Sequence, residues 1–264
     1  MPLVIVITGA SAGIGRELAL QFAELGTRLV LASRDATRLA EVADAARERG
    51  AVDTIVVPTD VSQLDQCQAL IATAVSAFDR IDILVNNAGV SQWARLDQLT
   101  DVSVIERLMR INFLGAAWCT HAALPHLEAS RGRIVAVSSL AGLTGVPTHS
   151  AYAASKHAMR GFFDSVRVEM ADRGVSVTVA YPGFVTTDIR MNSLGPDGQP
   201  LGHSPVREGE VMTVEECARR IVRATMKRER DVVMTMRGRL GLWLKLMAPG
   251  MVDRIAAETI RRGR

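Results

Sequence analysis

A chain of 264 residues, 48% hydrophobic and 22% charged, fits one ordinary globular domain with a substantial buried core. A net charge of only +3 makes nucleic acid an unsuited partner. Three widely spaced cysteines (Cys67, Cys119, Cys217) form no CxxC pair and leave an odd count, so they read as reduced thiols of a cytoplasmic protein, not as a disulfide frame or a zinc site.

The chain opens on MPLVIVITGASAGIG. No basic residue precedes its apolar stretch, which is far shorter than the roughly 18 apolar residues of a spanning helix. It reads as a buried first strand, and the mature protein is expected to begin at or near Met1. LVIVIT (3–8) is followed by an amphipathic helix from Ile14 to Leu25, closed by Gly26. RLVLAS (28–33) precedes a charged helix ending near Gly50, and DTIVVPTD (53–60) precedes a helix from Gln63 to Phe78. IDILVNNAG (81–89) leads into a helix through about Leu124, and RIVAVSS (133–139) into a helix carrying Tyr152. VSVTVAYPG (175–183) and RDVVMT (230–235) supply two more strands. Continuous apolar strands alternating with helices predict an α/β fold: one doubly wound parallel sheet of about seven strands, covered by helices on both faces. No linker or repeat divides the chain, so residues 1–264 read as one domain.

One stretch breaks the rhythm. Residues 186–212 are rich in Gly, Pro, Ser and Asp, as a substrate loop or mobile lid would be. The stretch ends at TVEE, where Thr213 and Glu216 make a capping-box pattern that starts a new helix.

TGASAGIG (8–15) lies between the first strand and the first helix. Gly9, Gly13 and Gly15 allow a tight turn and let a pyrophosphate approach the helix N-terminus, where free N–H groups favour negative charge. The spacing is GxxxGxG, and its place between strand and helix predicts a dinucleotide site. The second strand ends in Ser33-Arg34-Asp35. A cofactor with a free 2′-OH wants a carboxylate there; the Arg34 fork suits a 2′-phosphate, so NADP is favoured and NAD stays open. Asp35 either pairs with Arg34 or takes the ribose itself.

Tyr152 lies four residues before Lys156, on one helix face. A cation close to a phenol favours the phenolate and brings its pKa down toward the working range of an acid or base. Ser139 ends the fifth strand, where ligands sit in open α/β sheets, and can donate to a developing alkoxide.

TGASAGIG, NNAG (86–89), Asn112 in RINFLGA, Ser139, Tyr152 with Lys156 and Tyr181-Pro182-Gly183, in this order, resemble the short-chain dehydrogenase/reductase family over about residues 3–190. The resemblance implies an NAD(P)-binding Rossmann-fold oxidoreductase. It implies that Asn112, Ser139, Tyr152 and Lys156 form a catalytic tetrad, with Lys156 also on the nicotinamide ribose and Asn112 holding a water that links Lys156 to solvent. Gly9, Ser11, Gly13, Ile14 and Gly15 would hold the cofactor phosphates. Ser33 and Arg34 would hold the adenosine ribose, and Asp60 and Val61 would flank the adenine. Asn86 would support the central strands, with Asn87, Ala88 and Gly89 near the riboses. Pro182, Gly183, Val185 and Thr187 would lie against the nicotinamide. Homodimers or homotetramers are usual in the family.

The substrate is expected to be an apolar carbonyl or secondary alcohol, lined by Trp93, Leu140, His149 and Phe184. No metal is expected, because His121 and His126 are not at helical ligand spacing. Other readings are a non-catalytic NADP(H)-sensing regulator on the same fold, against which the intact tetrad argues, and a lyase or epimerase, for which the chain is short. From Arg237 to Arg264 there are seven Lys or Arg against two acids, together with the apolar run Leu240, Leu242, Trp243, Leu244, Leu246, Met247. Such tails appear in relatives resembling 11β-hydroxysteroid dehydrogenases. A helix covering the pocket or a subunit interface is the favoured reading, and weak peripheral contact with an anionic membrane is the other.

Overall fold

β1 (Val4–Thr8), β2 (Arg28–Ser33), β3 (Asp53–Pro58), β4 (Ile83–Asn86), β5 (Arg133–Val137), β6 (Ser176–Tyr181) and β7 (Asp231–Val233) form one sheet in the computed structural model of the chain. The structure describes residues 1–187, 189, 191–203 and 211–261. The strand order is β3-β2-β1-β4-β5-β6-β7, and every neighbouring pair is parallel. The seven strands fall on the seven runs read from the sequence. The winding direction reverses between β1 and β4, so a crevice is expected beyond the carboxyl ends of these two strands.

The strands read as continuous apolar runs because both faces are covered. In β1, Val4 and Val6 join one buried layer while Ile5 and Ile7 join the other. The first layer packs against α3 (Leu64–Phe78), α5 (Gly115–Ser130) and α6 (Ser150–Glu169) through Leu70, Leu127 and Phe163. The second packs against α1 (Gly13–Ala23), α2 (Ala36–Glu48) and α7 (Val214–Met226) through Phe22, Leu39 and Ile221. Burying each such side chain contributes about 1.5–3 kcal/mol.

Local signals set most ends. Gly26, at φ 66°, closes the turn after α1 and donates from its N–H to the Ala23 carbonyl at 2.9 Å. Thr213 caps α7 by accepting from the Glu216 N–H at 3.2 Å. One expectation on length is corrected. The fourth helical run does not stop at Leu124; α5 continues through Pro125 to Ser130. Pro125 and His121 are both exposed, so water can take the His121 carbonyl that the proline leaves without a donor. This run also starts as α4 (Ser103–Leu108) and passes through one π-helical stretch, Met109–Leu114, before α5. The tail is two helices, α8 (Met236–Met247) and α9 (Pro249–Arg261), which pack on each other.

The irregular segment after β6 is tied down where it is described. Val185 bridges Met212, Leu194 bridges Gln92, and Arg107 donates to the Gly198 carbonyl. Asp188, Arg190 and residues 204–210 of the expected substrate loop lie outside the described residues.

Candidate active site

A cleft of about 1260 Å³ lies across the carboxyl ends of the strands. One end is lined by Gly9, Gly13, Arg34 and Asp60, the other by Ser139, Tyr152 and Lys156. Ser11, Ile14, Ser33, Val61, Gly183, Val185 and Thr187 also reach it.

Gly9 and Gly13 stand at φ 66° and 53°, where a side chain strains the backbone. Gly15 is required by contact: a Cβ there would lie 2.2 Å from the Gly9 carbonyl oxygen. Asn87 fastens the turn by donating from Nδ2 to the carbonyls of Thr8 at 3.0 Å and Gly9 at 3.1 Å. The Thr8 hydroxyl accepts from the N–H groups of Asn87 and Ala88. Asn86 ties the end of β4 to α5 through Thr120, at 2.9 Å. The N-terminus of α1 has no side-chain cap, and its Gly13 and Ile14 line the cleft. Uncapped N–H groups opening on a cleft fit a pyrophosphate, so these residues suit a dinucleotide.

At the adenosine end, Asp35 does not pair with Arg34. It caps α2, accepting from the Arg38 N–H at 3.0 Å, and its carboxylate lies 3.5 Å from the Arg38 guanidinium. Arg38 lines the cleft beside Arg34. Sequence reasoning missed Arg38; the D-x-x-R spacing at a helix start could have marked it.

Tyr152 and Lys156 lie on α6, with the Lys156 ammonium 5.8 Å from the centroid of the Tyr152 ring. Lys156 is buried and donates to the Val137 carbonyl at 2.9 Å, beside the Met159 sulfur at 3.5 Å. Burial lowers its pKa to about 8. Burial holds the Tyr152 pKa above its ordinary value, outweighing the Ser139 side chain, which pulls it down. The downward shift expected from the neighbouring cation therefore does not appear: desolvation wins for both groups.

Asn112 is fully buried in the π-helical stretch. Its Oδ1 accepts from the Val90 N–H at 2.8 Å, and its Nδ2 donates to the Val90 carbonyl at 3.0 Å and to the Ser155 hydroxyl at 2.9 Å. The Ser155 hydroxyl in turn donates to the Tyr152 carbonyl at 2.8 Å. Asn112 thus fixes the segment after NNAG to the helix that carries Tyr152. A π stretch near a functional site is a recurrent device. A Cβ on Gly89 would lie 3.1 Å from Asn112 Oδ1 and 3.5 Å from Lys156 Nζ, so this glycine borders both.

His149 is buried, edge-on to Trp93 at 4.7 Å and to Tyr152 at 6.0 Å between ring centroids. Burial lowers its pKa, against the Pro147 carbonyl, which raises it. The remaining wall comes from the tail, which the sequence reading set over the pocket or an interface: Met236, Gly238 and Gly241 of α8, and Val252 and Ala256 of α9. The Leu140 amide donates to the Pro182 carbonyl at 3.0 Å, which holds the Ser139 turn against the strand-end Pro182-Gly183.

A family model described as short chain dehydrogenase matches residues 3–196. The chain belongs to the short-chain dehydrogenase family. This dehydrogenase is 38% identical over 255 residues to 11-beta-hydroxysteroid dehydrogenase A of Sesamum indicum, covering 95% of this chain and 73% of the relative. It is 35% identical over 266 residues to dehydrogenase/reductase SDR family member 7B of Mus musculus, covering 99% and 82%. Among solved structures, a short chain dehydrogenase/reductase from Burkholderia phymatum in complex with NAD superposes with a TM-score of 0.82 at 27% identity, covering 95% of each chain. The alcohol dehydrogenase of the archaeon Thermococcus sibiricus, complexed with 5-hydroxy-NADP, gives 0.74 at 25% identity, covering 88% of this dehydrogenase and 94% of that one. Use of a nicotinamide cofactor and a single Rossmann-type domain follow for this dehydrogenase from the family and the fold.

Proposed function

We propose that this dehydrogenase interconverts an apolar carbonyl and its secondary alcohol, preferring NADP(H), with Tyr152 as general acid and base. The observation that carries the reading is that Ser139, Tyr152 and Lys156 line one cleft with an uncapped helix N-terminus. The nicotinamide supplies the hydride, chemistry that no side chain performs. Gly13, Ile14 and the α1 N-terminus would hold its phosphates. Tyr152 gives its proton to the oxygen of the reduced carbonyl, and Ser139 donates to the same oxygen as negative charge builds there. Lys156 opposes the charge left on the phenolate and can hold the ribose.

The NADP preference rests on Arg34 and Arg38. Asp35, the carboxylate that would read a ribose hydroxyl, is engaged by α2 and Arg38. Both guanidiniums then suit a 2′-phosphate. Trp93, Leu140, Leu143 and Val252 favour an apolar substrate, and the steroid dehydrogenase names of the relatives agree with a bulky one. Three buried free thiols suit a reducing compartment such as the cytoplasm.

The test is a panel of apolar ketones and aldehydes with NADPH and with NADH, beside Tyr152→Phe. Turnover of at least one carbonyl, lowered about 10²–10⁴-fold in Tyr152→Phe with NADPH binding retained, supports the reading. Tight NADPH binding without turnover across the panel supports a sensor instead.

A further inference from the structure

His149, Tyr152 and Lys156 stand at i, i+3 and i+7 at the start of α6, and all three line the cleft. His149 is the N-cap residue of α6, a position where Ser, Thr, Asp or Asn satisfies the free N–H groups of the first turn. Its side chain caps nothing. The ring packs edge-on against Trp93 and Tyr152 instead, and the residue is only 5% exposed.

The backbone is bent to put the ring there. Thr148 stands at φ 67°, in the left-handed region that a β-branched residue rarely adopts. The turn is held by Ala94, whose N–H donates to the Thr148 carbonyl at 2.9 Å, and by the His149 N–H, which donates to the Val146 carbonyl at 3.1 Å. Backbone strain of this kind collects where a side chain must be aimed.

The neighbours fix the tautomer. His149 Nδ1 lies 3.0 Å from the Pro147 carbonyl oxygen, which only accepts, so Nδ1 carries the proton. The Thr148 hydroxyl, itself donating to the same carbonyl, accepts alongside at 3.0 Å. Burial lowers the pKa of the ring and keeps it neutral at pH 7. Nε2 is then a bare lone pair. It is bonded to no described residue, and no hydrogen bond joins it to Tyr152. Val90, Leu143 and Val146, which line the same cleft, have no side-chain donor to offer it. A buried acceptor in an apolar wall calls for a donor on the ligand.

We propose that His149 Nε2 is a second substrate-binding point, accepting a hydrogen bond from a hydroxyl close to the reacting carbonyl, so that the substrate is a hydroxy ketone on an apolar body. The rings of His149 and Tyr152 are 6.0 Å apart, which suits a hydroxyl on the α or β carbon. Tyr152 and Ser139 hold the carbonyl oxygen while His149 holds the hydroxyl. Two points of attachment then fix which face of the carbonyl meets the nicotinamide. The inference rests on the carbonyl–alcohol reading above for the group that faces Tyr152.

The experiment is calorimetric titration of the complex with NADP⁺, in which a ketone binds and is not reduced. The probes are α-hydroxyisobutyrophenone with isobutyrophenone and α-methoxyisobutyrophenone, and the β-hydroxyisovalerophenone set built in the same way. Their hydroxyls are tertiary, so NADP⁺ does not oxidise them. Expected is at least about tenfold tighter binding of the hydroxy member of one set than of its deoxy and methoxy partners. That ratio is expected to fall to about one in His149→Phe, which has no acceptor, and to recover in part in His149→Gln, which has one. Melting curves check that both variants fold. The methyl ether, which has no proton to give, tests the donor on the unmodified enzyme in any case. No preference for the hydroxy member in either set, no binding by any member, or the same preference in His149→Phe overturns the proposal. Hydroxy ketones that bind with this preference and are not reduced when NADPH replaces NADP⁺ would sink the carbonyl reading and leave the subsite standing.

Discussion

Lys156→Met removes a buried charge while keeping the length of the side chain. Burial brings the Lys156 pKa from 10.5 to about 8, so the folded state holds its proton more weakly than the unfolded chain does. At pH 7 the group is charged in both states, and the depression corresponds to about 3 kcal/mol of lost stability at 1.36 kcal/mol per pH unit. Between pH 8 and 10.5 the unfolded chain binds the proton and the folded chain does not, so the stability of the unmodified protein rises with pH across that window. Methionine relieves the penalty but leaves the Val137 carbonyl without its donor, a loss of about 1–3 kcal/mol. The net change at pH 7 is therefore small, about 0–2 kcal/mol in favour of Lys156→Met. The change with pH is cleaner, because the carbonyl is lost equally at every pH. From pH 7 to about pH 9.5, the unmodified protein gains about 2 kcal/mol relative to Lys156→Met. Urea unfolding of both at equal protein concentration, at the two pH values, reads this directly. Parallel stabilities across that range would show that Lys156 titrates normally in the fold, and would refute the account of its burial.

Arg38→Ala is expected to weaken NADPH binding about 10–100-fold and to leave NADH nearly unchanged, by fluorescence titration; equal loss for both would remove the guanidinium from phosphate reading. Gly15→Ala places a Cβ against the Gly9 carbonyl, so it is expected to lower the melting temperature and abolish nicotinamide binding; full binding would show that the turn gives way freely. Asn112→Ala frees the Val90 backbone and the Ser155 hydroxyl, with an expected loss of about 2–4 kcal/mol in urea and a fall in kcat larger than any rise in the KM for NADPH.

The sheet could be read in the sequence because strands buried on both faces are apolar along their run; VIVIT and ILVN are polar only at the carboxyl-end residues Thr8 and Asn86. The glycine turn and the Tyr152–Lys156 pair could be read because each is set by contacts within a few residues. Arg38 was readable only through the D-x-x-R helix start, since its place at the cleft depends on Asp35 capping α2. Asn112 was found by its motif, but its bonds to Val90 and Ser155 join segments far apart in the chain. The tail was expected over the pocket or an interface, but which of its residues between Met236 and Ala256 wall the cleft was the least legible part. Its glycines and aliphatic residues have no fixed spacing to the catalytic residues, and only the return of α8 over the Ser139 turn brings them together. The direction of the Tyr152 shift also escaped the sequence, since spacing reports the neighbouring cation and says nothing of how deeply both groups are buried.

The most direct measurement is a single turnover with NADPH deuterated at the transferable position of the nicotinamide and a ketone accepted by the enzyme. The account predicts that the alcohol formed carries the deuterium on its carbinol carbon, and that Tyr152→Phe slows the step by about 10²–10⁴-fold. Alcohol without deuterium, or the same rate in Tyr152→Phe, would contradict hydride transfer with Tyr152 as the proton donor.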